Sequence, residues 1–151
     1  MPFDQTKDVL NHARKFHRRL SEFYDDLKDS VERERARALL DYLSRHEQYL
    51  DETLAKFQET VSENVLDTFI NYKPDSANVS NITDFEISDD MSTDDVVAAA
   101  MHFDALLIQF YGDMARKTNN SKVREMFENL LVMEQHEQIE LSKQTLELAN
   151  I

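Results

Sequence analysis

Apolar residues recur at helical spacing in four long segments of this chain, and the lengths between the segments leave few ways to arrange them. The first segment runs over about 4–28, with a stripe through Leu10, Ala13, Leu20, Tyr24 and Leu27. The second covers about 31–61 through Leu39, Leu43, Leu50, Leu54 and Phe57. Ser92-Thr-Asp-Asp95 is a helix-start signal, an oxygen-bearing cap with an acid three residues on. It opens the third segment, about 93–117, which continues through Val97, Met101, Leu107, Tyr111 and Met114. Asn119-Asn120-Ser121 breaks that helix and caps a fourth, about 121–149, through Val123, Met126, Leu130, Met133 and Ile139.

The first two segments are joined by a few residues, as are the last two, which forces antiparallel neighbours. Between the second and third lies a stretch of about 65–91, long enough to carry the chain back along a bundle. Its opening residues Val65, Leu66, Phe69, Ile70 and Tyr72 form an apolar patch suited to covering one bundle end. The pattern predicts one all-α domain over 1–151, an antiparallel four-helix bundle of two helical hairpins joined by a long crossover. One glycine and two prolines in 151 residues agree, since sheet-and-turn folds need more chain-reversing residues.

A formal charge of −13 argues against nucleic acid, whose phosphates call for a basic patch, and against an anionic membrane surface. Arg33, Arg35 and Arg37 come nearest to such a patch but alternate with Glu32, Glu34 and alanines, as on a solvated helix face. The absence of cysteine excludes disulfides, thiolate catalysis and iron–sulfur clusters. The first residues lack the unbroken apolar run of a signal peptide, and no run approaches a membrane span, so a cytoplasmic protein is expected. The acidic run 84–90 lacks a calcium-loop pattern and reads as solvated linker.

The two hairpins look like copies of one another. Phe16-His17 followed by Phe23-Tyr24 aligns with Phe103-Asp104 followed by Phe110-Tyr111, and Leu43-Ser-Arg-His46-Glu-Gln aligns with Met133-Glu-Gln-His136-Glu-Gln. Each apolar stripe is interrupted by one residue able to bind metal: His17, His46, Asp104 and His136. The repeat pairs His17 with Asp104 and His46 with His136, so a pseudo-twofold axis would bring all four to one level of the core. Glu47 and Glu137 fall one position off these stripes and read as rim acids, and His12 and His102 point away from them.

These features resemble the ferritin-like superfamily, and its rubrerythrin-type members in particular. Members carry a Glu some six residues before a Phe-Tyr pair in helices one and three, and Glu-x-x-His in helices two and four. The resemblance spans nearly the whole chain and implies the bundle fold and side-by-side homodimers. It breaks at the chemistry. His17 and Asp104 stand at the helix-one and helix-three Glu positions, and Leu43 and Met133 stand three residues before the two histidines. On that alignment the family's di-iron centre is not expected, because too few carboxylates remain to neutralise two cations.

Three functional readings follow. Three imidazoles and one carboxylate suit a mononuclear Fe, Mn or Zn site made by His17, His46, Asp104 and His136, with redox chemistry toward oxygen species in reach. Tyr24 and Tyr111, seven residues beyond His17 and Asp104 on the same faces, are placed to orient such ligands. A metal-free structural or interaction bundle, with a decayed site and an unidentified protein partner, is the alternative. A third reading restores a di-iron oxidoreductase through Glu47, Glu134 or Glu137. In that register Glu134-x-x-Glu137 supplies two acids, whereas the matching positions of helix two hold Ser44 and Glu47.

Overall fold

A computed structural model of the protein describes residues 4–70 and 92–149, and the chain is an all-α bundle. A two-residue strand β1 (Asp4–Gln5) leads into α1 (Thr6–Ser30), followed by α2 (Glu34–Thr60). A one-turn α3 (Glu63–Leu66) and a strand β2 (Phe69–Ile70) come next, then α4 (Thr93–Lys117) and α5 (Ser121–Ala149). Tyr72 and the acidic run 84–90 lie outside the described residues.

Local chemistry accounts for the helix boundaries. Ser92 and Asp95 close the expected capping box, with Ser92 N–H donating to Asp95 Oδ2 at 2.9 Å and Asp95 N–H donating to Ser92 Oγ at 3.2 Å. At the start of α5, Asn120 Oδ1 accepts from the N–H groups of Lys122 and Val123 at 3.0 and 3.1 Å. These bonds occupy amides that have no partner inside the helix.

The helices pair as hairpins. Along α1 and α2, Arg14 meets Asp51, Ser21 meets Ser44 and Lys28 meets Asp41, so one helix descends as the other rises. Between α1 and α4 the same antiparallel order holds: His17 meets Tyr111, and Phe23 packs edge-on against Phe103 with centroids 5.6 Å apart. The core between them is aliphatic and aromatic, with Phe16, Tyr24, Phe103, Tyr111 and Phe127 among its largest sealed side chains.

One end of the bundle is clasped. β1 pairs antiparallel with β2, Thr6 N–H donates to Thr68 O at 2.7 Å, and the two threonine hydroxyls bond each other at 2.7 Å. Ser62 Oγ caps α3 by accepting from Val65 N–H. Val65 and Ile70 are buried there, while Phe69, expected to share that role, faces solvent.

Replacing Asn120 with Ala is expected to cost about 1 kcal/mol of unfolding free energy, and Asp at that position to restore most of it. Urea denaturation of the three proteins measures this, and an unchanged midpoint for Asn120→Ala would remove the cap from the account.

Candidate metal centre

Four residues at the middle of the bundle share one sequence frame. His17 on α1 has Leu10, Ala13, Leu20 and Tyr24 at positions −7, −4, +3 and +7. Glu47 on α2 has Leu40, Leu43, Leu50 and Leu54 at those offsets, and Asp104 on α4 has Val97, Ala100, Leu107 and Tyr111. Glu134 on α5 has Phe127, Leu130, Glu137 and Leu141. Seven-residue spacing with a three-four alternation is the seam a helix turns toward its bundle partners. All four residues are accordingly buried, as is Glu137 one turn along α5.

The side chains converge. His17 Nδ1 lies 3.0 Å from Glu47 Oε1, and His17 Nε2 meets the Tyr111 hydroxyl. One donor atom from each of His17, Glu47 and Glu134 lies within 4.8 Å of the other two. Glu137 Oε2 accepts from the Tyr42 hydroxyl at 3.0 Å and stands 3.8 Å from His46 Nδ1. Asp104 and Glu134 adjoin, so that a proton on one carboxyl can bond the other. Apart from that shared proton, Asp104 Oδ2 and both Glu134 oxygens have no partner; Glu137 Oε1 and His46 Nε2 have none either.

Electrostatics makes the arrangement costly as it stands. Four carboxyl groups are buried together, and among the described residues no Lys or Arg is buried with them. Burial, and then the charge of Glu47, raises the Asp104 carboxyl from its ordinary range to about 8, although its bond with Glu134 pulls the other way. Burial, followed by the charges of Glu47 and Asp104, raises Glu134 well above the usual carboxylate range. Tyr24 and Tyr111 are pushed upward by burial and by the same acids. Tyr42 is raised to about 12, first by burial and then by Glu137. Buried carboxylates settle such a balance by holding protons or by binding a cation.

The donors fit a cation. Two donors about 2.1 Å from one ion and at right angles to each other are about 3 Å apart, close to the His17–Glu47 separation. The orphaned oxygens of Glu134 supply the next contact, and the donor set of carboxylates and one imidazole is that of a hard or borderline divalent ion. The Tyr111 hydroxyl on the far ring nitrogen holds the imidazole in place.

Of the residues singled out from the sequence, the structure brings His17 and Asp104 into the centre. His46 stands at its margin with 15% of its side chain exposed, beside Glu137. His136 is not brought in: its side chain is 73% exposed and lies 3.9 Å from Glu140. The rim assigned to Glu47 and Glu137 is corrected, since both are buried. In each His-Glu-Gln repeat it is the glutamate that turns inward, by the 100° that separates successive helical residues.

A signal for this was available at seven residues' remove. Glu47 has leucines at both −7 and +7, whereas His46 has Leu39 and Thr53, and His136 has Asn129 and Lys143. Ile139, taken with His136 into the stripe of the fourth segment, is exposed with it, as is Val132. Glu134 and Glu137 continue instead the buried seam of Val123, Phe127 and Leu130 on to Leu141. The shifted register that turns Glu134-x-x-Glu137 inward is the one the helix adopts, and its counterpart Ser44 bonds Ser21 at 2.9 Å.

No protein-family model, curated protein or solved structure matches this chain.

The raised carboxyls set a pH dependence for protein stripped with chelator. The folded state retains protons on Asp104 and Glu134 that the unfolded chain releases above about pH 4, so stability is full below that point. It is lost as the pH rises through about 8. The thermal midpoint is expected to fall between about pH 5 and about pH 8.5, and Asp104→Asn, which cannot ionise, to fall less steeply. Equal slopes for the two proteins would contradict the assignment.

Proposed function

We propose that this protein is a ferritin-like bundle that binds a divalent transition metal ion in its core through His17, Glu47 and Glu134. The observation that carries the reading is the convergence of those three donors, with neighbouring carboxyl oxygens that lack partners. A bundle of two hairpins, with Glu134 and Glu137 facing inward one turn apart on the last helix where the family carries Glu-x-x-His, supports the ferritin-like assignment.

An oxygen-rich set with one imidazole favours manganese or iron over copper. Such an ion supplies one-electron chemistry toward oxygen species. The protein's own part is to hold and shield it. His17 is gripped between Glu47 and Tyr111, Glu134 is sealed from solvent, and the aromatic rings of Phe16, Phe103 and Phe127 help close the core.

A second reading rests on a specific surplus. Asp104 Oδ2 and Glu137 Oε1 are unpartnered, as are both Glu134 oxygens apart from the proton shared with Asp104. Four carboxylates would balance the charge of two divalent ions, so the same residues would also suit a dinuclear centre.

Elemental analysis of protein purified without chelator separates these readings. About one equivalent of iron or manganese supports the mononuclear centre, and about two support the dinuclear one. His17→Ala, Glu47→Ala and Glu134→Ala should each lose the metal with helicity retained, and His136→Ala should keep it. Absence of metal after incubation with Fe(II), Mn(II) and Zn(II) would overturn the proposal in favour of a metal-free bundle.

A further inference from the structure

The centre is sealed. His17, Glu47, Asp104, Glu134, Tyr24 and Tyr111 are all buried, so an ion cannot reach them without a group that meets solvent on one side and the core on the other. Among the described residues, two side chains in contact with the cluster reach the surface. Tyr42 is 44% exposed and donates to Glu137 Oε2, and His46 is partly exposed beside that same oxygen. The two rings stack, with centroids 6.4 Å apart and planes 18° from parallel.

Glu137 joins the two environments. Its Oε2 is held by the surface pair, while its Oε1 is buried and unpartnered. The charge of Glu137 is felt by Asp104, Glu134 and Tyr24, which places it electrically within the core. Glu134 is its neighbour one turn back on the same helix face, where Cβ atoms lie about 5–6 Å apart. Outward, Glu140 is half-exposed and its charge reaches Tyr42. Acids thus continue from the surface inward along one side of α5, with His46 beside the middle one.

We propose that Tyr42, His46 and Glu137 form an entry site for divalent cations, separate from the centre they lead to. His46 Nδ1, which stands 3.8 Å from Glu137 Oε2, and Glu137 itself are the capturing donors. Tyr42 is the latch, because its hydroxyl occupies the Glu137 oxygen that an arriving ion needs. A hydrated divalent ion gives up its waters one at a time, so an intermediate pair of protein donors lowers the cost of passing from solvent to a dry core. From Glu137 the ion moves to Glu134 and the waiting His17–Glu47 pair. This inference rests on the core metal site proposed above, and it concerns the rate of filling rather than the identity of the final ligands.

The test is stopped-flow uptake of Co(II) by chelator-stripped protein, read by visible absorption, with the final stoichiometry measured on the same samples. His46→Ala removes one of the two capturing donors and is expected to slow uptake about tenfold, the lower end of what losing a ligand-supporting side chain costs, with stoichiometry unchanged. Tyr42→Phe keeps the ring but frees Glu137 and is expected to speed uptake. His136→Ala, on the outer face of α5, should behave as the parent protein. Parent-like rates for both His46→Ala and Tyr42→Phe would overturn the entry site while leaving the centre standing. Loss of bound Co(II) in His46→Ala would overturn it too, by making His46 a ligand of the centre. No uptake by the parent protein would overturn both.

Discussion

Four carboxyl groups buried together in a helical bundle, with His17 held between Glu47 and Tyr111, set the terms for everything else in this molecule. Acids do not stay buried at helix seams for packing reasons. Each one costs several kcal/mol when it is ionised without a partner. The seams on either side of the acids are conventional, with leucines, phenylalanines and alanines meeting at three-four spacing. That aliphatic packing supplies the stability that the centre draws on. A stable frame holding a strained, unsatisfied cluster is the arrangement expected of a site rather than of a core.

The fold was legible because its signals are local and redundant. Periodicity marks the four helices, the Ser92–Asp95 and Asn120 caps fix where two of them begin, and unequal connections set the hairpin order. The centre was legible only in part. His17 and Asp104 sit in stripes so regular that their inward phase is unambiguous. On α2 and α5, a histidine and a glutamate stand side by side, and either fits the nearest apolar neighbours at three and four residues. Reading the softer imidazole as the inward residue follows the lower burial cost of a neutral ring. The bundle reverses that choice because phase is set over two turns or more, where Leu40 and Leu54 outweigh Leu39 and Thr53. Convergence across helices, and the Tyr42–His46 contact with Glu137, are tertiary facts that no spacing rule contains.

The duplicated architecture is kept in outline and broken in detail. In the sequence repeat Phe16, Tyr24 and His17 on α1 correspond to Phe103, Tyr111 and Asp104 on α4, and His17 meets Tyr111 between the two helices. On the other pair of helices Glu47 and Glu137 are both buried, while the position matching Glu134 holds Ser44. Ser44 is satisfied by Ser21 within its own hairpin, so that half needs nothing further there. Glu134 has no such answer.

The inequality of the two hairpins bears on how the chain assembles. The first, α1 with α2, brings its own base to its own acid, with His17 Nδ1 and Glu47 Oε1 3.0 Å apart. The second, α4 with α5, holds Asp104, Glu134 and Glu137 and, among the described residues, contributes no buried histidine, lysine or arginine to offset them. Its inward face is therefore a poor surface to bury until something positive is supplied. The electrostatic toll of folding falls on the docking of one half against the other. Whatever neutralises those three acids at that moment, proton or metal, acts as a folding partner as well as an occupant.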